Sequence, residues 1–502
     1  MRCCVPQIKD HAYWLERSEK LQIEGRAFID GAYVDACNGA TFWSQSPIDG
    51  KPLAAVALCT EADVDLAVAA ARRSFDAGVW AEKSARDRKA VLLRWAALLQ
   101  AHAEELALLE SLDSGKPIGD TTGGDLPGTI YCLQWFAELV DKVHGEVPAT
   151  DPQFFGTVTH QALGVVAAVV PWNYPLLMAA WKFAPALAAG NSVVLKPSEK
   201  SPLSALRIAG LALQAGIPAG VFNVVAGDGV AGRALSLHPD VDCIAFTGSG
   251  KVGREIAKNA AASNLKRVWL ELGGKSANIV MADCADIAQA ARSAAAAIFS
   301  NMGQVCSAGS RLLVQRSIAT ALLGELLEAS KGYRPGHPLD PQTVTGAIID
   351  NAQLDRVCSY IEIGKQQAQL LSGGNRLSLV DAGAYLEPTI FLAEDASVPI
   401  ANEEIFGPVL VVILFDTLDE AIAIANQTEY GLAAAVWSSD INTIRTATRK
   451  LKAGTVWVNC YDELVDMNFP FGGFKESGNG RDNSAHALSK YTELKSTIIR
   501  CS

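Results

Sequence analysis

The spacing of apolar residues divides the chain into a helical first part and two later parts in which strands and helices alternate. Apolar residues recur at helical spacing over 64–75 and again over 92–109, which predicts two amphipathic helices. Between 164 and 272, short apolar runs alternate instead with amphipathic runs. We predict strands at 164–170, 192–195, 221–225, 243–247 and 267–272, and helices at 176–189, 202–215, 230–237 and 251–262. This alternation is typical of a doubly wound parallel sheet with helices on both faces.

A second alternating region follows and predicts a second α/β unit. Its strands are expected at 277–281, 311–315, 409–415, 433–438 and 455–459, and its helices at 286–300, 316–331, 351–366, 417–427 and 441–451. The β-branched residues at 497–499 predict one further strand near the end of the chain. That strand needs a sheet to join, either in this chain or in another subunit.

The composition favours a large enzyme-sized protein of the cytoplasm. The chain has 502 residues, and its formal net charge of −11 argues against nucleic acid or an anionic membrane as a partner. Eleven cysteines without a C-x-x-C motif indicate a reducing compartment, and the first residues lack the apolar stretch of a signal peptide. The uncharged stretch 161–181 could span a membrane by length, but it contains Pro171 and Pro175, so we interpret it as core.

Two strand ends carry residues that could bind a cofactor, since ligands of such sheets lie beyond the carboxyl ends of the strands. The segment 248–253 matches G-x-G-x-x-G between a predicted strand and a predicted helix. Its glycines could admit a pyrophosphate, or they could serve a tight turn only. Lys196 and Glu199 follow another strand and could hold a ribose, or they could be a surface lysine beside a helix start.

Two residues could carry covalent chemistry. Glu271 ends a predicted apolar strand, where burial would raise the pKa of its carboxyl group and suit it to act as a general base. Cys306 lies in a loop rich in Gly and Ser, where a thiolate could be reached by a substrate. The alternatives are a strand-end acid that reaches solvent and an inert cysteine. Glu404, near Phe406, could bind a second ribose or cap a turn.

Seven motifs occur in one order along the chain. They are 171–175 around Asn173, 196–199, 246–249, 271–275, 303–306, 403–408 and 470–473. With this order, the chain resembles the NAD(P)-dependent aldehyde dehydrogenase superfamily over nearly its whole length. Further motifs at 266–271, 336–341 and 477–482 resemble the γ-glutamyl-γ-aminobutyraldehyde dehydrogenases of bacterial putrescine catabolism. Two residues depart from the superfamily pattern, since Gly250 stands where Thr is common and Asp482 where many relatives have Glu.

The resemblance implies an aldehyde dehydrogenase fold, which is α/β and has three parts. These are a Rossmann-like, doubly wound NAD-binding domain at 1–142 and 162–271, an α/β catalytic domain at 272–476, and a small oligomerisation arm at 143–161 and 485–502. The arm is expected to pair a hairpin with the tail of the chain across subunits. The expected assembly is a homodimer or a homotetramer.

The resemblance also implies a role for individual residues. The catalytic residues would be Cys306, Glu271, Asn173 and Lys182. The cofactor-binding residues would be Trp172, Lys196, Ser198, Glu199, Gly248, Ser249, Leu272, Glu404 and Phe406. The substrate residues would be Asp125, Tyr174, Met178, Trp181, Val305, Ser307 and Phe471. The cofactor would be NAD rather than NADP, because an acid at the ribose repels a 2′-phosphate, and no metal is implied.

The implied reaction is the oxidation of an aldehyde to a carboxylic acid. Cys306 would attack the carbonyl carbon, Asn173 would hold the oxyanion, and Glu271 would activate the water that hydrolyses the thioester.

The acidic residues of the sequence bear on the expected substrate. Asp462, Glu463 and Asp466 precede Phe471, and Asp125 matches an acid that amine-accepting relatives use. These carboxylates favour an ω-aminoaldehyde or its γ-glutamyl conjugate, although a solvated surface loop explains them equally well. The alternatives are a broad aliphatic or betaine-type aldehyde dehydrogenase, a thiol hydrolase, and a non-catalytic structural protein on the same fold.

Overall fold

The computed structural model describes residues 9–464 and 466–501. The strands in chain order are β1 Ala27–Ile29, β2 Ala32–Val34, β3 Thr41–Gln45, β4 Pro52–Ala57, β5 Phe154–Ala162, β6 Val165–Val169, β7 Ser192–Lys196, β8 Phe222–Val224, β9 Cys243–Thr247, β10 Arg267–Glu271, β11 Ala277–Val280, β12 Arg311–Gln315, β13 Gln369–Ser372, β14 Arg376–Leu377, β15 Tyr385–Leu386, β16 Thr389–Ala393, β17 Val409–Phe415, β18 Ala433–Trp437, β19 Thr455–Val458, β20 Gly478–Asn479 and β21 Thr492–Arg500.

The α-helices in chain order are α1 His11–Glu19, α2 Glu61–Asp76, α3 Ala85–Ala101, α4 Ala103–Ser114, α5 Ile118–Asp120, α6 Leu126–Leu139, α7 Pro175–Ala188, α8 Leu203–Ala215, α9 Gly229–Leu237, α10 Gly250–Ala262, α11 Ile287–Phe299, α12 Ala319–Ser330, α13 Asn351–Gln367, α14 Pro399–Asn402, α15 Leu418–Asn426 and α16 Ile441–Lys450. A π-helical turn, Thr121–Asp125, links α5 to α6.

The first sheet has eight strands in the order β2-β1-β8-β7-β6-β9-β10-β20. Its five central strands are parallel, and β1, β2 and β20 join the edges in antiparallel pairs. Along β6, Val166 and Ala168 belong to one hydrophobic core, whereas Val165 and Ala167 belong to another. Successive side chains of a strand point to opposite faces, so both faces of this sheet are covered, as the unbroken apolar runs predict.

The second sheet has seven strands in the order β13-β16-β17-β12-β11-β18-β19. All of its pairings are parallel except that between β13 and β16. The two predicted alternating units are therefore confirmed. The sequence analysis missed β13, which is only partly buried, and β16, which is only five residues long.

The first part of the chain contains strands as well as helices. The run 92–109, predicted as one helix, is divided between α3 and α4, which meet at His102. β1 and β2 extend the edge of the first sheet, and β3 and β4 form a separate antiparallel pair. β1 was not predicted because it has only three residues, and β2, β3 and β4 were not predicted because they are short and only partly buried.

The last long strand, β21, pairs with β5 of the same chain. The antiparallel register runs from Thr492 opposite Ala162 to Arg500 opposite Phe154. The expectation that these segments pair across subunits is therefore wrong, because the partner of the tail lies within its own chain. Within the segment 143–161, where a hairpin was expected, Glu146 pairs with Val158 through an isolated antiparallel β-bridge, so the segment folds back on itself.

Within the described residues, no helix is long and apolar enough to cross a membrane. The uncharged stretch 161–181 forms β6 and the first half of α7, and it lies largely inside the protein, as expected.

Candidate active site

The segment before Cys306 has an unusual backbone. Asn301, Met302 and Gly303 have φ values of 47°, 54° and 69°, so three successive residues are left-handed. Gly303 approaches another segment so closely that a Cβ atom there would lie 2.1 Å from the Gly407 carbonyl oxygen. Backbone strain of this kind persists only where the surrounding structure enforces it, and it concentrates at functional sites. The strain therefore marks the loop that carries Cys306.

A hydrogen-bond network joins this loop to Asn173, which lies between β6 and α7. The Asn173 side-chain amide donates to the Gln304 carbonyl oxygen at 2.8 Å. The Asn301 amide donates to the carbonyl oxygens of Asn173 and Gln304, both at 3.1 Å. Two side-chain amides therefore fix the position of Asn173 relative to the backbone just before Cys306. An amide has two N–H groups, and among the described residues one of those on Asn173 has a partner.

Glu271, the last residue of β10, is a buried acid that influences the ionisation of Cys306. It is 4% exposed, and neither of its carboxylate oxygens has a hydrogen-bond partner of good geometry within the described residues. Burial raises the pKa of Glu271 to about 8. Burial also raises the pKa of the Cys306 thiol, and the neighbouring Glu271 raises it further. The thiol and the carboxyl group are thus close enough to influence each other's ionisation.

A buried group of charges lies behind Glu271. Lys182 on α7 donates to one carboxylate oxygen of Asp482, and Lys490 donates to the other. Lys182 and Lys490 are 1% and 4% exposed. The lysines lower the pKa of Asp482 against the opposing effect of burial. Lys182, Glu271, Asp482 and Lys490 line one pocket, so the carboxyl group of Glu271 faces this group of charges.

The turn between β9 and α10 forms one wall of the candidate cofactor site. Ser249 is the N-cap of α10, and its hydroxyl oxygen accepts a hydrogen bond from the backbone of Val252 at 3.4 Å. Leu272 packs against Gly253, where an added Cβ atom would lie 2.8 Å from the Leu272 side chain. A helix N-terminus preceded by the small residue Gly248 suits a phosphate, because its backbone N–H groups point outwards.

The end of β7 places a lysine beside an acid. The Lys196 ammonium is 3.3 Å from a Glu199 carboxylate oxygen. Lys196 is buried, and burial lowers its pKa, whereas the Glu199 side chain is 44% exposed. Ser198, between them, accepts a hydrogen bond from the backbone of Lys200. The exposed Glu199 carboxylate can therefore contact a ligand, whereas its partner Lys196 is held in place by burial.

A third group of cofactor candidates connects the two sheets. A Glu404 carboxylate oxygen accepts a hydrogen bond from the Gly274 backbone at 3.0 Å. A Cβ atom on Gly273 would lie 2.3 Å from a Glu404 carboxylate oxygen, so a side chain at this position would displace the carboxylate. The Phe406 ring lies edge-on to Trp172 with a centroid separation of 5.3 Å. The structure thus brings Glu404, Phe406 and Trp172 to the same side as the end of β10.

The aromatic substrate candidates form two contacts. The rings of Trp181 on α7 and Phe471 lie 5.2 Å apart. The backbone of Phe471 pairs with that of Asp482 through two hydrogen bonds of 2.7 and 2.8 Å. The Tyr174 ring lies 3.3 Å below the Lys116 ammonium. Met178 is buried one turn after Tyr174 on α7.

Asp125 does not face the site as a free acid. It is 5% exposed and accepts a hydrogen bond from Lys116. Asp125, Asp462 and Asp120 all nevertheless raise the pKa of Tyr174, after the larger effect of burial. The Lys116 ammonium that pairs with Asp125 lies over the same ring.

The residues on either side of Cys306 differ in their surroundings. Val305 packs against the core of the second sheet. Ser307 is buried, and its hydroxyl donates to Asp462 at 3.4 Å. Its carbonyl oxygen accepts a hydrogen bond from the Tyr461 hydroxyl at 2.6 Å. The acidic loop after Cys460 therefore lies directly against the segment of Cys306.

The sequence analysis missed Lys116, Asn301, Gln304 and Lys490. Lys490 carries no local motif, and the sequence alone cannot show that it meets Asp482. Asn301 and Gln304 flank the Met302-Gly303 pair, and their spacing from Cys306 was the only available signal.

Comparison with known proteins identifies the family. The aldehyde dehydrogenase family matches this chain over residues 33–497. The chain is similar to the NADP/NAD-dependent aldehyde dehydrogenase PuuC of Escherichia coli K12, with 52% identity over 97% of this chain and 98% of that protein. It is also similar to the crystal structure of a γ-glutamyl-γ-aminobutyraldehyde dehydrogenase from Burkholderia cenocepacia J2315. That similarity has a TM-score of 0.97 and 63% identity, and it covers 98% of this chain and 100% of that one.

A further solved relative has a bound dinucleotide. It is a mutant of the indole-3-acetaldehyde dehydrogenase AldA of P. syringae in complex with NAD+ and IAA, with a TM-score of 0.97 and 55% identity. The match covers 98% of this chain and 99% of that one. The family match, these identities and the shared fold lead to one conclusion: the chain belongs to the aldehyde dehydrogenase family.

Proposed function

We propose that this protein oxidises an aldehyde to the free carboxylic acid with NAD, using Cys306 as nucleophile and Glu271 as general base. The observation that supports this proposal is the influence of Glu271 on the Cys306 thiol, together with the burial of Glu271, whose two carboxyl oxygens lack hydrogen-bond partners among the residues that the structure describes. A buried carboxylate without a partner is costly unless it serves a reaction or binds water.

The nucleophile attacks first. A bond forms between the Cys306 sulfur and the carbonyl carbon, and the carbonyl oxygen becomes an oxyanion. The free N–H of the Asn173 amide and the backbone N–H of Cys306 are the proposed donors to that oxyanion. Because Gln304 and Asn301 hold Asn173, the donor needs no rearrangement when charge develops.

Loss of a hydride from the former carbonyl carbon, for which bound NAD would be the acceptor, turns the thiohemiacetal oxyanion into a thioester on Cys306. That thioester is then hydrolysed. Glu271 takes a proton from a water molecule, whose oxygen attacks the thioester carbon and releases the Cys306 thiolate. Since the pKa of Glu271 is raised to about 8, its carboxylate is a stronger base than an exposed one. A water-activating carboxylate favours hydrolysis over transfer of the acyl group to CoA.

NAD fits the residues at the strand ends, and it supplies the hydride acceptor when bound. The N-terminus of α10 with Ser249 would hold the pyrophosphate, and Lys196 with Glu199 the adenosine ribose. Glu404 and Phe406 would hold the nicotinamide ribose and ring. The exposed Glu199 carboxylate favours NAD over NADP, because it accepts from ribose hydroxyls and repels a 2′-phosphate.

We test the two chemical roles by the burst of NADH in stopped flow with propionaldehyde and NAD. Cys306→Ala should form no NADH, since no thiohemiacetal forms. Glu271→Gln should give a burst of about one NADH per active site and then turn over at least 100-fold more slowly than the unchanged protein. NADH formation by Cys306→Ala would overturn the proposal, and so would a steady Glu271→Gln reaction without a burst. If the protein cleaves esters without NAD and oxidises no aldehyde, that result would support the thiol hydrolase alternative.

For the substrate, we propose an ω-aminoaldehyde or its γ-glutamyl conjugate. Asp462 accepts a hydrogen bond from Ser307, the residue after Cys306, and a carboxylate at that place disfavours a substrate with its own carboxylate. The Burkholderia relative bears the name of such an activity. The P. syringae relative bears the name of an indole aldehyde, so a broader aldehyde range is the second candidate.

The substrate proposal predicts that kcat/KM for 4-aminobutyraldehyde exceeds that for succinic semialdehyde by at least tenfold. Asp462→Asn should reduce this ratio, because it removes one carboxylate that acts on Tyr174. Glu463→Gln is the matched control, since that side chain accepts from Ser293 on α11 instead. Preference for the semialdehyde, or equal effects of both variants, would contradict the substrate proposal.

A further inference from the structure

Lys490 is a second buried cation on a carboxylate that already has one. Asp482 accepts from Lys182 through one oxygen and from Lys490 through the other. All three residues are at least 95% buried. One lysine suffices to neutralise one carboxylate, so the group retains a net charge of +1. An extra buried charge is unfavourable, and its presence calls for a neighbouring group that gains from it.

Glu271 is that neighbouring group. Lys182, Asp482 and Lys490 line the same pocket as Glu271, together with Arg481, whose guanidinium donates to the carbonyl oxygens of Gly473 and Gly480. The titratable groups that act on Glu271 are Lys182, which lowers its pKa, and Asp482, Cys306 and Glu404. The groups that act on Lys490 are Asp482, Lys182 and Cys243. Burial lowers the pKa of Lys490, and Asp482 counteracts that shift by favouring the ammonium form.

The backbone of Lys490 is fixed to the strand that carries Glu271. Its carbonyl oxygen accepts a hydrogen bond from the Trp269 indole at 2.8 Å. Trp269 lies on β10 two residues before Glu271. The carbonyl oxygen of the next residue, Tyr491, accepts from the Asn191 amide at 3.0 Å. The ammonium of Lys490 is therefore held at a fixed place relative to β10.

We propose that Lys490 is a positioning residue, which acts through Asp482. It holds the Asp482 carboxylate against Lys182 and leaves one net positive charge beside Glu271, which favours the carboxylate form needed to activate water. This inference rests on the proposed role of Glu271 as general base.

The test compares the pH dependence of kcat for Lys490→Met and the unchanged protein between pH 5.5 and 9.5, with propionaldehyde and NAD. Loss of a nearby positive charge makes the carboxylate form of Glu271 less favourable, so the acid limb of the kcat profile should move to higher pH by about 1 unit. The NADH burst should keep its amplitude. Methionine leaves Asp482 paired one-to-one with Lys182, so no carboxylate is left unpaired.

Two further variants separate this role from a structural one. Lys490→Arg keeps the positive charge and should restore the acid limb to within about 0.3 unit. Lys266→Met removes another buried lysine, whose ammonium bonds to Ser236 and Ser263 before the start of β10, and it should not move the limb. An unchanged limb in Lys490→Met, or an equal shift in Lys266→Met, would overturn the inference.

A second measurement needs no turnover. The rate of Cys306 alkylation by iodoacetamide, followed by mass spectrometry of its peptide, reports the pKa of the thiol. Lys490→Met should raise that pKa, since the loss of a cation also disfavours the thiolate. If the unchanged protein oxidises no aldehyde but this shift occurs, the proposed function fails and the electrostatic role of Lys490 stands. If aldehyde is oxidised and neither readout shifts, the inference about Lys490 fails alone.

Discussion

At the scale of single residues, the ionisation of Glu271 sets what the site can do at a given pH. Its pKa of about 8 comes first from burial, and Lys182 acts against that effect. A general base must be unprotonated before it can take a proton from water. The fraction of protein ready to hydrolyse the thioester therefore increases with pH through this region.

This reasoning predicts the pH profile of hydrolysis. When thioester hydrolysis limits turnover, kcat should increase roughly tenfold per unit between pH 6 and pH 7.5 and level off above about pH 8.5. The measurement is steady-state NADH formation across buffers of constant ionic strength. Glu271→Gln should lack this limb, and a flat profile of the unchanged protein between pH 6 and pH 8 would contradict the assignment.

Glu271 and Cys306 could be proposed from sequence because each stands at a recognisable place, a strand end and a Gly/Ser-rich loop. The partners of these residues could not be proposed in the same way. Lys490 and Lys182 are 308 positions apart, and their meeting on Asp482 depends on the tertiary fold. Asp125 shows the opposite case, since its acidic character was visible and its neutralisation by Lys116 was not.

At the scale of elements, the loop before Cys306 depends on one glycine. Gly303 combines a φ of +69° with an approach of 2.1 Å between its missing Cβ position and the Gly407 carbonyl oxygen. A left-handed residue with a side chain costs about 1–2 kcal/mol, and a clash with backbone adds to that cost. The loop conformation is therefore tied to the absence of a side chain at this position.

We predict that Gly303→Ala lowers the free energy of unfolding by about 3 kcal/mol and reduces kcat, because the segment before Cys306 must shift. Thermal or denaturant unfolding and steady-state assays measure the two effects. Gly39→Ala is the matched control, since Gly39 has a φ of +68° and nothing within 4 Å of its Cβ position. That control should cost only about 1 kcal/mol and leave kcat unchanged, and equal effects of the two variants would contradict the explanation.

The elements themselves were predicted well where the apolar pattern was strong. The strands β6, β7 and β9 were recognisable because burial on both faces makes them continuous apolar runs. β13 has a half-exposed sequence, and β1 is three residues long, so neither has a pattern that distinguishes it from a loop.

At the scale of the whole molecule, the ribbon of β5 and β21 leaves apolar side chains uncovered. Leu494, Ile498 and Ile499 are 65%, 74% and 52% exposed, and Phe155 on the opposite strand is 47% exposed. A two-stranded ribbon with bare apolar faces is marginal in water. We propose that another copy of the chain covers it, which keeps the expected oligomer although the pairing of the two strands is internal.

This proposal predicts that Ile498→Asp shifts the protein towards a monomer in light scattering coupled to size exclusion. A charge in an apolar interface weakens it, and several kcal/mol are lost when it stays unpaired. Ile441→Asp is the control, because Ile441 is 62% exposed at the start of α16, away from the ribbon. A monomeric unchanged protein would contradict the proposal.

The close approach of Gly303 to Gly407 has a consequence for how a bound dinucleotide leaves. These two backbone segments are in contact with no side chain between them, so neither can move closer to the other. The segment 404–407 therefore cannot move towards the loop that carries Cys306 while that loop keeps its position. For the proposed cofactor site, we therefore expect release of the dinucleotide without inward movement of the main chain at 404–407, which leaves the nucleophile in register for the next molecule of aldehyde.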